Sequence, residues 1–281
     1  MFNAPPTPAQ EVGYFVQTFG PYLNVGVNWF AHNFYVPAVQ GQYIQNGDET
    51  VYLPNAGNGY GICTAEKVTP AGVDTAIWKG AAFGGGFYVE AILSFPLALP
   101  TAAAPWKTWP AFWMNPIEGM STNNAPVDAE QWTGQANQYL HSCEIDVFEV
   151  SQTVLNQYGV ALHDWCGPKG GGLQVHTQTP PIAISPESFV FPNRFGFRNI
   201  PATKTTQGEA RWYFNGVPVG QVINWNLYDP NAAPPPVAGT SAYSIMDARH
   251  YSPIITANNA CPVKVHAMSV WQENADGNLY Q

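Results

Sequence analysis

The chain has 281 residues, a formal net charge of −9 and only 10 lysines and arginines together. Such an acidic chain is a poor match for nucleic acid or an anionic membrane surface, so we expect neither as a partner. No apolar run reaches the roughly 18 residues that a membrane-spanning helix needs. The length suits one large domain, and we predict a single domain over residues 1–281.

Strand-like runs between turn signals recur along the chain, whereas helical periodicity is weak nearly everywhere. With 26 glycines and 26 prolines, the composition favours many turns and little helix. In chain order the runs are ETVYLP, GGFYVEAILSFP, CEIDVFEV, GVALHDWCG, EARWYFNGVPVGQVINW and CPVKVHAMSVWQ. In the fifth run, Asn215-Gly216 is a strong signal for a two-residue hairpin turn. The pattern predicts an all-β fold, an antiparallel sandwich with long loops.

The run CEIDVFEV holds three carboxylates, Glu144, Asp146 and Glu149, in a chain that is otherwise poor in charge. Side chains alternate faces on a regular strand, so Glu144 and Asp146 share one face and Glu149 points away. A one-residue bulge at Val147-Phe148 would return Glu149 to the face of the other two. Gathering three acids is unfavourable, but paired carboxylates are what glycoside hydrolysis requires. From spacing alone, a solvent-facing acidic strand and a metal site are the alternatives.

The segment EIDVFE resembles the active-site motif of glycoside hydrolase family 16, Glu-aliphatic-Asp-x-x-Glu, in the bulged form of its laminarinase-like branch. Other segments resemble the family in the same order, over about residues 50–273: FGGGFYVEAILSFP, TWPAFWM, ALHDWCG, WYFNGVPV and VKVHAMSVWQ. The resemblance implies a β-jelly-roll sandwich with a concave substrate cleft. It also implies that Glu144 is the nucleophile, Asp146 the helper and Glu149 the acid/base. Since clustered carboxylates cannot all ionise together, we expect the raised pKa to be that of Glu149.

The activity that the resemblance implies is retaining endo-hydrolysis of a β-1,3- or mixed β-1,3/1,4-glucan, a neutral polysaccharide, with no cofactor. An agarase, a carrageenase and a transglycosylase of the same fold are the enzymatic alternatives. The few basic residues argue against sulfated carrageenan, which calls for clustered Arg and Lys. An inactive, lectin-like carbohydrate-binding domain is the alternative from another class.

Two tryptophans upstream of the acids are predicted to bind sugar. Trp109 and Trp113 lie four residues apart on an extended segment, which places them on one face. On the cleft face they would form platforms for sugar rings, and packing in the core is the alternative reading.

The run after the acids is predicted to pair with them as a hairpin. A register with Asp146 opposite His163 places Trp165 opposite Glu144, so His163 and Trp165 would both line the cleft. A lone histidine is often structural, but this register and the resemblance favour a functional one.

The same register places Cys143 opposite Cys166, where a cross-strand disulfide and two free buried thiols are both open. The four cysteines show no CxxC spacing, so a zinc site is not predicted. Members of the family often hold a structural calcium with an Asp of the last strand. That position is His266 here, so we expect no metal ion.

The first ten residues lack the basic region and apolar stretch of a signal peptide. A trimmed, mature form of a secreted protein and an intracellular protein both fit this start. We expect secretion, in keeping with polysaccharide degradation.

Overall fold

The predicted strand runs are strands in the structure. The computed structural model describes residues 15–19, 30–31, 44–45, 51–53, 60–68, 77–95, 110–117, 139–150, 157–168, 175–178, 181–227, 246–247, 249–257 and 263–273. Over these ranges the longest helical element is a 3-10 turn at Pro186–Val190. No helix among them is long and apolar enough to cross a membrane.

The strands of the first half of the described chain are mostly short. They are β1 (Phe15–Phe19), β2 (Phe30–Ala31), β3 (Ile44–Gln45), β4 (Val51–Leu53), β5 (Tyr60–Cys63), β6 (Ala65–Val68), β7 (Ile77–Gly80), β8 (Phe83–Gly84) and β9 (Phe87–Ser94). Those that follow are β10 (Ala111–Pro116), β11 (Tyr139–Glu149), β12 (Gln157–Pro168), β13 (Val175–Gln178), β14 (Ile182–Ala183), β15 (Asn193–Ile200), β16 (Gly208–Phe214), β17 (Val217–Trp225), β18 (His250–Ala257) and β19 (Val263–Glu273).

These strands form two large antiparallel sheets and a separate β6–β7 pair. The acid sheet, named for the three carboxylates on β11, has the order β13-β12-β11-β10-β18-β5-β2, with β14 beside β12 and β8 beside β18. The opposite sheet has the order β17-β16-β15-β9-β19-β4-β3, with β1 beside β19. Strands distant in sequence are neighbours, as β10 and β18 are, and as β9 and β19 are. This is the predicted β-jelly-roll sandwich, and the fold class is confirmed.

Apolar residues of the two sheets meet in one core. Phe87 and Val89 of β9 and Ile145 of β11 are all fully buried members of this core. The ring centroids of Phe148 on β11 and Phe195 on β15 lie 4.4 Å apart, across the two sheets. Because neighbouring residues on a strand point to opposite faces, the other face of β11 turns away from the core.

Strands β16 and β17 form the predicted hairpin. Asn215 and Gly216 have φ angles of 50° and 82°, the two positive values of a type I′ turn. Asn215 also accepts a hydrogen bond from the backbone N–H of Arg194 at 2.9 Å, which ties the turn to β15. The turn therefore fixes β16 against β15 and positions the side chains that β16 sends into the core.

Candidate active site

The alternation of β11 breaks once, between the second and third acids. Ile145 and Val147 face the core, and so does Phe148, the residue directly after Val147. Two successive core residues do not occur on a regular strand. The break turns Glu149 out of the core, onto the face that carries the other two acids, and both glutamates are partly exposed.

The neighbouring strands show the same irregularity as a shift in register. The three-residue step from Asp146 to Glu149 lies opposite only the two-residue step from Ala161 to Gly159 on β12. The pairing of β11 with β10 shifts at the corresponding place. One extra residue on β11 is a β-bulge, and the predicted bulge is confirmed.

His163 lies beside the acids, although not in the predicted register. The structure pairs Glu144 with His163 and Ser142 with Trp165, so the prediction of Asp146 opposite His163 and Glu144 opposite Trp165 is wrong by two residues. A one-residue slip would move every side chain to the other face, whereas a two-residue slip moves none. The apolar pattern therefore fixes the face of His163 but not its partner.

In the observed register His163 still contacts Asp146, the second of the three acids. Its Nε2 atom lies 2.7 Å from Oδ2 of Asp146, while about a quarter of the imidazole is exposed and Asp146 is buried. A contact this short requires one proton between the two atoms, bonded either to Nε2 of the imidazole or to the carboxyl oxygen. The two side chains thus form a proton-sharing pair at the centre of the acid face.

Burial raises the pKa of Asp146 to about 7, far above its usual value of 3.8. The main cause is loss of water around the charged form. The raised pKa found here is that of Asp146, and its cause is burial. The raised pKa expected for Glu149 from mutual repulsion stays a prediction.

We predict that His163→Ala lowers turnover and leaves the fold intact. The change removes the described partner of a buried carboxyl, an interaction worth about 1.5–3 kcal/mol for a charged hydrogen bond, or roughly 10- to 100-fold in rate. Steady-state kinetics and thermal unfolding measure the two effects. His250→Ala, at an exposed histidine of β18, is the control and should change neither. Unfolding of the His163 variant would show that this residue is structural.

Trp113 is on the acid face, beside Asp146. It is the β10 partner of Asp146 and packs in a small apolar cluster with Cys63, Ala111 and Ile254. With 8% of its surface exposed, it presents little ring to solvent. Its place next to the acids agrees with the predicted face, and its role as a sugar platform stays a prediction.

No protein-family model matches the chain, and no curated protein matches it significantly. Solved structures do. A Glu-to-Ser variant of LamA from Zobellia galactanivorans, in complex with laminaritriose and laminaritetraose, is 12% identical, with 92% of this chain and 100% of that chain covered and a TM-score of 0.52. LamAcat from the same organism is 12% identical, with coverages of 94% and 100% and a TM-score of 0.50. The chain has the fold of LamA. A laminarinase from Rhodothermus marinus is also similar, at 14% identity, coverages of 90% and 93% and a TM-score of 0.49.

The side chains of two predicted substrate-binding residues lie outside the described part of the chain. Trp109 is one, and Trp165 is described only as part of the backbone of β12. The two predictions therefore stay open, apart from the corrected pairing of Trp165.

Sequence reasoning missed two buried polar residues on the face of the sheet that carries the three acids. Asn115 follows Trp113 by two residues on β10 and is 1% exposed, and its cross-strand partner Ser252 on β18 is fully buried. Burying an amide and a hydroxyl is costly unless both are hydrogen-bonded. The position of Asn115 two residues after Trp113 was a usable signal, because residues two apart on a strand share a face.

The cysteines do not pair as the predicted register suggested. Cys143 lies opposite Asp164, and Cys166 lies opposite His141. Cys143 is buried, and its thiol contacts the backbone oxygen of Glu144 at 3.8 Å. The predicted register that placed Cys143 opposite Cys166 is therefore wrong, by the same two residues as for His163.

His266 of β19 has a polar partner in the structure. Its Nε2 atom lies 2.8 Å from the Oγ atom of Ser94 on β9. Within the part of the chain that the structure describes, no group of three or more His, Cys, Asp or Glu side chains is placed to hold a metal ion. The expectation of a metal-free position stays a prediction.

Proposed function

We propose that the chain is a retaining endo-glycoside hydrolase of family 16 that cleaves β-1,3- or mixed β-1,3/1,4-glucan. One observation carries the proposal: the bulge of β11 brings Glu144, Asp146 and Glu149 onto one face of the sheet, turned away from the core. Three carboxylates placed together in this way are unfavourable for stability, so a chemical role explains them better than a structural one.

The two partly exposed glutamates take the two roles of a double displacement. Glu149 protonates the leaving oxygen while Glu144 attacks the anomeric carbon, and a covalent glycosyl-enzyme forms. Glu149 then takes a proton from water, which attacks the same carbon from the opposite side and releases the sugar. The anomeric configuration is inverted twice and therefore retained. The scheme uses only side chains of this chain.

Asp146 is suited to assist rather than to react. Its pKa, about 7, lets it hold a proton near neutral pH, and His163 shares that proton at 2.7 Å. A protonated Asp146 lies between the two glutamates without adding a third negative charge. When Nε2–H of His163 supplies the proton of their contact instead, the proton of Asp146 can be donated to a neighbouring carboxylate and stabilise its charge as the nucleophile.

The substrate class rests on charge and on the comparison with LamA. Basic residues are scarce, with 10 in 281, which suits a neutral glucan better than a sulfated polysaccharide. LamA is solved with laminaritriose and laminaritetraose, and the chain shares its fold. A glucan polymer does not cross cell membranes, so we propose that the protein acts outside the cell.

A substrate screen tests the proposal. Laminarin, lichenan, agarose and κ-carrageenan are incubated with the protein, and the products are sized. We expect laminarin or lichenan to be cut internally into short oligosaccharides. Cleavage of agarose or carrageenan alone would refute the glucan specificity, and longer products than the starting oligosaccharide would indicate transglycosylation. Binding to laminarin without any cleavage would indicate the lectin-like alternative.

A further inference from the structure

The bulge on β11 is in contact with a buried tryptophan of the opposite sheet. Trp212 of β16 is fully buried, and its indole N–H donates a hydrogen bond to the backbone oxygen of Asp146 at 2.8 Å. The indole packs edge-on against Phe197 of β15, with ring centroids 5.4 Å apart. Hydrogen bonds of a sheet run within the sheet, between neighbouring strands. This one comes from the core side and crosses from one sheet to the other.

The contact falls at the point where β11 changes register. The pairing with β12 is regular up to Asp146 and resumes at Glu149, so the backbone oxygen that accepts from Trp212 belongs to the last regularly paired residue. A bulge disrupts the ladder locally and leaves backbone groups in need of other partners. A buried donor from the opposite sheet meets that need, because water does not reach this position.

One of the two bulge residues, Phe148, is also held in the core. The ring of Phe148 lies 4.4 Å from that of Phe195, and 5.3 Å from the rings of Phe95 and Tyr158. These contacts fix the side chain that the bulge turns inward. The indole of Trp212 fixes the backbone just before it.

We propose that Trp212 is a positioning residue, which holds the bulge from the opposite sheet and thereby sets the direction of Glu149. Glu144 and Asp146 precede the bulge and are placed by regular pairing with β12. Loosening the bulge therefore displaces Glu149 more than the other two acids. The catalytic consequence rests on the proposed function, in which Glu149 protonates the leaving group.

The test compares two matched variants, Trp212→Phe and Trp225→Phe. Trp225 is 3% exposed, belongs to the same core and donates its indole N–H to Asp247 at 3.0 Å, away from the acids. Both changes remove one buried N–H and some ring volume. Each variant is assayed on laminarin and on a laminari-oligosaccharide with a dinitrophenyl leaving group, which needs little protonation.

We expect Trp212→Phe to lower kcat/KM on laminarin about tenfold or more, and to change it much less on the dinitrophenyl substrate. Trp225→Phe should affect both substrates equally, whatever it does to the melting temperature. Equal losses on both substrates for Trp212→Phe, or no loss on either, would overturn the proposal. If Trp212→Phe does not fold, β-(3-benzothienyl)alanine at position 212 replaces the N–H by sulfur and keeps the ring shape.

A second measurement does not depend on activity. Amide hydrogen exchange of residues 147–149 should be faster in the Trp212 variant than in the wild type, and unchanged in the Trp225 variant. Unchanged exchange in both would overturn the role of Trp212 even if the enzyme is active. If the wild type cleaves neither glycoside, the proposed function fails, while the exchange result still decides whether Trp212 holds the bulge.

Discussion

Azide should give opposite anomers from the two glutamate variants. In Glu144→Gly the nucleophile is gone, and kcat should fall on the order of 10⁴- to 10⁶-fold, as for loss of other covalent nucleophiles. Azide then occupies the vacated space and attacks the anomeric carbon directly, with one inversion. A β-glucan substrate with an activated leaving group therefore yields an α-glycosyl azide.

The variant Glu149→Ala keeps the nucleophile and loses the acid/base, at a cost of about 10²- to 10⁴-fold on a natural glycosidic bond. An activated substrate still forms the covalent intermediate, because its leaving group needs little protonation. Azide attacks that intermediate from the opposite side, the second inversion, and gives a β-glycosyl azide. NMR of the products therefore assigns each glutamate.

The wild type provides the control for this experiment. Without azide, its first product on laminarin should be the β anomer, followed by mutarotation. An α anomer as first product would show inversion and remove the covalent intermediate from the mechanism. If the Glu144 variant gave the β-azide and the Glu149 variant the α-azide, the two roles would be exchanged.

The strands and the bulge were predictable because local sequence determines them. Asn215-Gly216 can adopt the two positive φ angles of a type I′ turn, and few other pairs do so readily. The bulge follows from two neighbouring apolar residues, Val147 and Phe148, set between acids. If both side chains face the core, both are buried and Glu149 is turned outward. The structure has this arrangement.

The exact pairing across β11 and β12 was not predictable in the same way. Alternation places His163 on the acid face, but a slip of two residues preserves every face. The partner of His163 and the placement of Cys143 opposite Cys166 both depended on that choice. The alternation of apolar and polar residues along the two strands does not contain that information.

Contacts between the two sheets could not be predicted from the sequence. Trp212 lies 66 residues from Asp146, and no local pattern links the indole to that backbone oxygen. The raised pKa of Asp146 has a similar origin, since burial raises it and burial depends on what packs around the acid face. Repulsion among three acids was the effect visible in the sequence, and it pointed to a different residue.

Asp146→Asn should slow the enzyme and stabilise it at the same time. In the folded protein the pKa of Asp146 is about 7, against 3.8 for its usual value, so between these values the folded chain holds a proton that the unfolded chain has lost. Stability therefore decreases as pH rises through this window, and above about pH 7 the ionised carboxyl carries the full cost. Asparagine has no charge to desolvate, and its amide N–H can donate to Nε2 of His163.

Urea unfolding at about pH 5 and about pH 8 measures this effect. The gain in the free energy of unfolding for Asp146→Asn should increase with pH, reaching on the order of a few kcal/mol at pH 8. The same substitution at Asp247 is the control. Burial raises the pKa of Asp247 only to about 6, because N–H groups of Trp225 and Ala202 donate to its carboxyl, so the gain for Asp247→Asn should increase with pH much less than the gain for Asp146→Asn.

In the Asp146→Asn variant activity should fall while stability rises. An amide can neither take up nor release a proton as the carboxyl of Asp146 does, so kcat on laminarin should fall about 10- to 100-fold, the equivalent of one charged hydrogen bond. A merely structural residue would lose stability and activity together. If Asp146→Asn were less stable than the wild type at pH 8, the ionised carboxyl would be stabilised by its surroundings, and the raised pKa of Asp146 would be refuted. If it were more stable but equally active, Asp146 would have no part in catalysis.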